Sequence, residues 1–270
     1  MTQVGFAQYN PAFGQRVANF KTIERLVESA AHADLLVLPE LGAVGYDFRD
    51  PGEVAQFAEG AGAGPTSDLL RKLAAKYSTT LVLGYPERDR HKLYNSCMLV
   101  QPTGAVANYR KTHLFSRENE LFTPGDAPPP VVQTPFGRVG LMICFDWLFP
   151  EVARMLTLGG AQLIAHPSNL VLGICQRGMF ARCVENGVFA ITANRFGTEE
   201  RAGRTLTFTG ESQIMDPKGN VLAAAPAEGE HIAVVDIDLA GADNKQFNPH
   251  NHLLKSRRTE LYGKLVESQK

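Results

Sequence analysis

The chain has 270 residues, of which 44% are hydrophobic and 20% are charged, a balance typical of a globular protein that buries a full core. Its formal net charge of −1 provides no excess positive charge for binding nucleic acid or anionic lipid. No apolar run approaches the roughly 20 residues that a membrane span needs, so we expect a cytoplasmic protein.

The four cysteines lie at positions 97, 144, 175 and 183, and none of them forms a Cys-x-x-Cys pair. No histidine lies at zinc-finger spacing from them. We therefore expect free thiols, most of them small buried side chains, and we predict neither a metal nor a cofactor.

Apolar β-rich runs alternate with amphipathic helical patterns along the first half of the chain. Residues 1–10 alternate like a strand, and apolar residues at helical spacing predict a helix over 18–33. The run 35–38, which ends at a proline, indicates a strand buried on both faces. The remaining elements predicted in this half are a helix over 67–77 and strands over 80–84, 96–101 and 105–109.

The same alternation recurs in the second half. An apolar strand is predicted over 139–144, followed by a helix over 150–158 that begins with a proline. The remaining predicted elements are strands over 163–165, 188–193 and 231–237, a helix over 176–186 and a hairpin over 211–222. Two halves of similar order predict an α/β fold in which two sheets pack face to face with helices outside, a four-layer α-β-β-α sandwich.

Three polar residues stand at predicted strand ends. Glu40 follows the buried strand 35–38 and a proline, at the kind of sheet edge where α/β sites gather. Lys111 follows the strand 105–109. Cys144 ends the strand 139–144 shortly before a helix, where backbone N–H groups can face a developing negative charge. Taken singly, each residue also fits a structural role, as an exposed acid, a solvated lysine or a buried thiol.

Taken together, the segments around these residues resemble a known family. The blocks 38–40, 110–115 and 140–146 resemble the three signature blocks of the nitrilase, or carbon–nitrogen hydrolase, superfamily. Similar flanking segments at 166–169, 182–186, 210–212, 216–219 and 257–262 extend the resemblance over nearly the whole chain. It implies a single carbon–nitrogen hydrolase domain over residues 1–270 with the α-β-β-α sandwich fold.

The resemblance also implies catalytic roles. Glu40 would take the thiol proton of Cys144, which would attack a carbonyl or nitrile carbon. Lys111 and the backbone N–H of Phe145 would stabilise the resulting anion.

Family members use a second glutamate a short distance after the lysine. Glu118 fits the usual offset better than Glu120, which is the alternative. A papain-like triad built on His113 or His166 is a weaker hypothesis, because the family needs no catalytic histidine, and we expect both histidines to support loops.

The residues after the nucleophile bear on the substrate. Typical nitrilases place Trp-Glu directly after the cysteine, whereas this chain has Phe145-Asp146-Trp147, which favours an amide over a nitrile. We expect Phe145, Asp146, Trp147 and Asn169 to bind the substrate.

Amidases for carboxylate-bearing substrates often carry an arginine four residues after the cysteine, where this chain has Leu148. A free carboxylate is therefore disfavoured, although Arg177, Arg182 or Arg195 could substitute.

The prediction is a hydrolase that cleaves a small amide to a carboxylate and ammonia through a cysteine thioester. The alternatives are a nitrilase with the same three residues, an acyltransferase, and a binding module that has lost catalysis. The partners expected are a small-molecule substrate and a second copy of the chain, in a homodimer or higher assembly that pairs through residues 150–158 and the tail from 253 to 270. Neither nucleic acid nor a membrane is expected as a partner.

Overall fold

The computed structural model describes residues 1–201 and 203–267. Its α-helices are α1 (Arg16–Ser29), α2 (Pro51–Phe57), α3 (Pro65–Tyr77), α4 (Glu118–Leu121), α5 (Pro150–Leu158) and α6 (Cys175–Asn186). Its strands are β1 (Thr2–Gln8), β2 (Leu35–Val37), β3 (Thr80–Asp89), β4 (Lys92–Val100), β5 (Val106–Arg110), β6 (Val131–Thr134), β7 (Gly137–Leu141), β8 (Leu163–Pro167), β9 (Phe189–Ala193), β10 (Phe196–Arg201), β11 (Arg204–Thr209), β12 (Gln213–Met215), β13 (Val221–Ala224), β14 (His231–Ile237), β15 (Gln246–Asn248) and β16 (Asn251–His252). Short 3-10 helices cover Cys144–Leu148, Leu239–Ala242, Thr259–Leu261 and Gly263–Val266.

Two six-stranded sheets form the centre of the molecule, with the orders β14-β1-β2-β3-β4-β5 and β13-β12-β9-β8-β7-β6. Each sheet has three parallel strands, β1-β2-β3 in the first and β7-β8-β9 in the second, and antiparallel strands on either side. When the second order is reversed to β6-β7-β8-β9-β12-β13, its parallel and antiparallel pairings are the same as those of the first sheet. The two halves, which the pattern of elements predicted to be similar, therefore have the same sheet topology.

The strand β2 illustrates how the layers are built. Leu35 and Val37 face the core between the sheets, while Leu36 and Leu38 pack in the outer core with side chains of α1 and α3. Burying one such side chain contributes roughly 1.5–3 kcal/mol to stability. Because α5 and α6 pack on the second sheet in the same way, the four-layer α-β-β-α sandwich predicted from the sequence is confirmed.

Several bounds differ from the predicted ones. The helix α1 ends at Ser29 rather than at residue 33, because the chain turns before β2. The strand β7 ends at Leu141, and Cys144 begins a 3-10 helix instead of ending the strand. The hairpin of β10 and β11 was not predicted, since its segment is largely polar and charged.

None of the helices in the described part of the chain is long and apolar enough to cross a membrane.

Candidate active site

The fold brings the three strand-end residues to one place between the sheets. Glu40 follows β2, Lys111 directly follows β5, and Cys144 follows β7 of the other sheet. Their exposed fractions are 0%, 1% and 4%, respectively. The carboxyl ends of β2, β5 and β7 thus present these residues where the sites of α/β folds usually lie. All three residues are almost closed to water.

Lys111 is held between two carboxylates. Its Nζ lies 2.8 Å from Oε1 of Glu40 and 2.8 Å from Oε1 of Glu118. Glu118 is the first residue of α4 and is buried, whereas Glu120 is exposed and pairs with Arg117. Of the two glutamates that the sequence offered, the structure brings Glu118 to the lysine.

These two carboxylates determine the charge of the lysine. Burial alone would lower the pKa of Lys111, but Glu118 and Glu40 outweigh it and hold the pKa well above its ordinary value. The side chain is therefore an ammonium ion. The pKa of Glu40 is raised, chiefly by burial, although Lys111 opposes this effect.

The two carboxylates differ in how completely they are hydrogen bonded. Both oxygens of Glu118 have donors, because Oε1 accepts from the Tyr46 hydroxyl at 2.6 Å and Oε2 from the backbone N–H of Phe115 at 3.0 Å. Oε1 of Glu40 accepts from Asn95 at 2.7 Å as well as from Lys111. Oε2 of Glu40 is buried and has no hydrogen-bond partner among the described residues.

Cys144 occupies a strained turn. Its φ of +40° lies in the left-handed region, which costs a non-glycine residue roughly 1–3 kcal/mol. Nε2 of His166 lies 2.9 Å from the carbonyl oxygen of Cys144, and Nδ1 lies 3.0 Å from the hydroxyl of Thr192. Because a carbonyl only accepts, Nε2 carries the proton, and burial lowers the pKa of His166 to about 4. The neutral His166 thus holds the backbone of the turn.

The carboxylate of Asp146 also holds this turn in place. Its carboxylate accepts hydrogen bonds from the Tyr109 hydroxyl at 2.9 Å, the Thr112 hydroxyl at 3.2 Å and the backbone N–H groups of His113 and Ile143, both at 3.1 Å. Nδ1 of His113 lies 2.8 Å from the same carboxylate. Asp146 was expected to bind substrate, but the structure directs its carboxylate into this network.

The environment of Cys144 keeps its thiol protonated. Burial and the nearby Glu40 carboxylate raise the pKa of the thiol well above its ordinary value, while Lys111 and a backbone hydrogen bond from Asn169 act in the opposite direction. A thiolate, not a thiol, is the nucleophile. Chemistry at Cys144 therefore needs a base that takes the proton as the reaction begins.

A cavity of about 70 Å³ opens onto Cys144. Of the residues predicted to bind substrate, Phe145, Trp147 and Asn169 line it, and Asp146 does not. The rest of the lining consists of Phe115, Leu148, Leu170, Val171, Leu172 and Ile174.

None of the three arginines suggested as carboxylate partners lines this cavity. Arg195 is fully buried and paired with Glu199. Arg182 donates to the carbonyl oxygen of Trp147 at 2.9 Å, and Arg177 is exposed on α6.

Sequence reasoning missed Tyr46 and Asn95, which bond to Glu118 and Glu40. Tyr46 lies in the loop six residues after Glu40, and its bond to Glu118 joins residues 72 positions apart, so no local pattern identifies it. Asn95 lies inside β4, where nothing in the local pattern marks it.

No group of three or more histidine, cysteine, aspartate or glutamate side chains that could hold a metal ion occurs in residues 1–201 and 203–267.

Comparisons with known proteins agree with one another. The carbon–nitrogen hydrolase family model matches residues 3–245. A protein of Pyrococcus abyssi named nitrilase is 42% identical over 97% of this chain and 99% of its own length. An (R)-stereoselective amidase of Pseudomonas is 34% identical over 92% of this chain and 88% of its own. Among solved structures, a variant of the amidase from Nesterenkonia sp. AN1, with acrylamide added at its active-site cysteine, has a TM-score of 0.82 and 28% identity, covering 98% of this chain and 100% of its own.

We predict that Asp146→Asn destabilises the fold by about 3 kcal/mol, because it replaces a charged acceptor of several buried donors. Urea unfolding measures the free energy of unfolding. Asp68→Asn, at an exposed aspartate on α3, should change it by less than about 0.5 kcal/mol. Unchanged stability with a raised KM would instead place Asp146 against the substrate.

Proposed function

Because the chain belongs to the carbon–nitrogen hydrolase family, the nitrilase superfamily, we propose that it hydrolyses a small amide to a carboxylate and ammonia through a thioester on Cys144. The observation that carries this proposal is the unequal bonding of the two carboxylates on Lys111. Both oxygens of Glu118 have donors, whereas Glu40 retains a buried oxygen that has no donor among the described residues. A buried unpartnered oxygen is costly, and a catalytic role accounts for it.

In the first step Glu40 acts as the general base. Its Oε2 takes the proton of the Cys144 thiol while the sulfur attacks the carbonyl carbon. The raised pKa of Glu40 makes it a stronger base than an ordinary glutamate, which suits proton transfer from a thiol.

The negative charge that develops on the carbonyl oxygen is met by Lys111 and by the backbone N–H of Phe145. One such donor typically stabilises the transition state by roughly 3–4 kcal/mol. Glu118 and Tyr46 keep the ammonium group of Lys111 in position. Glu40 then passes its proton to the departing ammonia and activates the water that cleaves the thioester.

Cys144→Ala should abolish turnover and leave the unfolding midpoint nearly unchanged, because the thiol lies at a turn and little packing is lost. The matched controls are Cys97→Ala and Cys183→Ala, at buried cysteines away from the cavity, which should keep most of the activity. Iodoacetamide should label the native protein at Cys144. Substantial turnover by Cys144→Ala would contradict the proposal, and an intact native protein that neither labels nor turns over any amide would favour a binding module.

Lys111→Arg should fail nearly as badly as Lys111→Ala, by about a hundredfold or more in kcat. The planar guanidinium cannot replace a compact ammonium ion that is fully buried between two carboxylates. Steady-state kinetics with one amide measure the effect, and normal activity of the arginine variant would remove Lys111 from the mechanism.

His113→Ala and His166→Ala serve as controls for a papain-like mechanism. Both variants should retain measurable catalysis, because His113 bonds to Asp146 and His166 bonds to the backbone carbonyl of Cys144, so neither ring is positioned as the base for the thiol.

Nitrile hydrolysis is the second candidate, and the Pyrococcus abyssi relative named nitrilase favours it. A nitrile passes through a thioimidate, to which water must add before ammonia can leave. An amide loses ammonia after one tetrahedral intermediate. The 3-10 turn that begins at Cys144 places the side chain of Phe145 in the cavity wall. It directs the carboxylate of Asp146 to the backbone N–H of Ile143 instead of into the cavity. We propose that this arrangement suits the trigonal amide.

For an amide and a nitrile that carry the same small aliphatic group, the amide should have the higher kcat/KM. Ammonia release measures both reactions. A nitrile advantage of tenfold or more, about 1.4 kcal/mol of transition-state preference, would establish the nitrilase alternative.

We also propose that the chain forms a homodimer. Met155 and Leu158 on α5 and Phe180 on α6 are exposed on one outer layer of the sandwich, and Leu261 and Leu265 are exposed in the tail. These residues leave more apolar surface uncovered than a monomer needs. Residues 268–270 of the predicted contact lie outside the described residues.

Light scattering at micromolar concentration should give twice the chain mass of 29.5 kDa or a higher multiple. Met155→Lys, which places a charge at the centre of the proposed contact, should lower the measured mass. A monomer mass for the native protein would contradict this proposal.

A further inference from the structure

We infer that the site prefers amides whose acyl group is an uncharged hydrocarbon chain of several carbons, with Leu148, Leu172 and Ile174 contacting its far end. This inference rests on the proposed function, because it concerns the acyl side of the same reaction. It names a substrate class that the family assignment leaves open.

The lining of the cavity is the first observation. Apart from Cys144 and Asn169, every side chain that lines it is aliphatic or aromatic. Nδ2 of Asn169 donates to the backbone oxygen of Glu40 at 2.8 Å, which fixes this side chain beside the nucleophile, while its Oδ1 is buried and has no partner among the described residues. Beyond Cys144 and Asn169, the wall therefore offers an acyl chain only aliphatic and aromatic side chains.

The mouth of the cavity is the second observation. Leu148, Leu172 and Ile174 line the cavity, and their exposed fractions are 42%, 53% and 46%, respectively. A chain that leaves Cys144 through this mouth would cover apolar surface that now faces water, and each methylene group that does so gains binding energy. An acetyl group adds only one methyl group to the reacting carbonyl, so it covers less of that surface than a longer chain does.

The segment that carries two of these side chains is held in place. The backbone N–H of Leu170 donates to Asn194 at 2.8 Å, and the N–H of Thr209 donates to the carbonyl oxygen of Leu170 at 2.9 Å. The helix α6 begins at Cys175, just beyond the segment. Leu172 and Ile174 are thus anchored on both sides, and a chain meets a preformed surface.

Charge is the third observation. No charged side chain lines the cavity among the described residues. Lys111 already contacts two carboxylates, and both arginines that line the neighbouring cavity are paired, Arg204 with Asp47 and Arg117 with Glu120. An acyl chain that ends in a carboxylate would lose water without gaining a free cation, so such substrates are disfavoured.

The test is the value of kcat/KM along the series acetamide, propionamide, butyramide and valeramide. It should rise by about fourfold per methylene group, or about 60-fold over the series. Glutaramate, which replaces the terminal methyl of valeramide by a carboxylate, should be at least tenfold worse than valeramide. A flat or falling series, or a preference for glutaramate, would overturn the inference.

Leu172→Ser tests the mouth directly. It should reduce the valeramide-to-acetamide ratio of kcat/KM by about threefold or more. Leu222→Ser, at an exposed leucine on β13 outside the cavity, is the matched control and should leave that ratio unchanged. An unchanged ratio in Leu172→Ser would remove this residue from the substrate site.

A measurement of amide binding without turnover distinguishes a failure of this inference from a failure of the proposed function. Valeramide should protect Cys144 from alkylation by iodoacetamide at lower concentration than acetamide does, whether or not either amide is turned over. If no amide is hydrolysed but protection still strengthens with chain length, the proposed reaction is wrong and the hydrocarbon site stands. If amides are hydrolysed but protection is independent of chain length, the reaction stands and this inference is wrong.

Discussion

The buried ammonium group of Lys111 is the interaction on which the rest of the site depends. A lysine taken out of water is strongly destabilising unless it is paired, and here it contacts Glu40 and Glu118 at 2.8 Å each. Two carboxylates leave this cluster with a net negative charge, which the Asn95 amide and the Tyr46 hydroxyl stabilise by hydrogen bonding. The ends of β2 and β5 and the start of α4 must therefore meet at one point.

The second constraint is the turn at Cys144. A positive φ at a non-glycine residue persists only where its surroundings hold it, and here His166 bonds to the carbonyl oxygen while Asp146 receives the backbone N–H of Ile143. His166 lies on β8 of the second sheet, and Asp146 also accepts from the hydroxyl of Tyr109 on β5 of the first sheet, so the turn is held from both sheets. In the part of the chain that the structure describes, no group bonds to Oε2 of Glu40. The unpartnered carboxylate oxygen and the strained thiol-bearing turn thus belong to one buried cluster.

Features of this structure that depend on residues close together in the sequence can be predicted from it, and features that depend on residues far apart cannot. The apolar run of β2 and the strand-end positions of Glu40 and Cys144 are local patterns, and the sandwich follows from their repetition. Asn95 bonds to a glutamate 55 positions away, so no local pattern identifies it. The direction of the Asp146 side chain, next to two residues that line the cavity, depends on the 3-10 turn and could not be derived from adjacency.

The β10–β11 hairpin is a part of the fold that local sequence patterns do not predict, again because its contacts are long-range. Its charged residues pair across the chain, Arg201 with Glu53 and Arg204 with Asp47, and Glu199 accepts from the backbone N–H of Asp47 at 2.7 Å. The strand β10 is polar and charged apart from its first two residues, so it resembles a loop until those partners are known, and the alternation in β11 is limited to Leu206 and Phe208.

The central claim is that an acyl group passes through Cys144, and partitioning between water and hydroxylamine tests it most directly. An amide and the p-nitrophenyl ester with the same acyl group should give the same ratio of hydroxamate to carboxylate at a given hydroxylamine concentration, because both form one thioester before the product step. The account predicts this common ratio and its loss in Cys144→Ala. Different ratios for the two substrates, or hydrolysis without any hydroxamate, would contradict it.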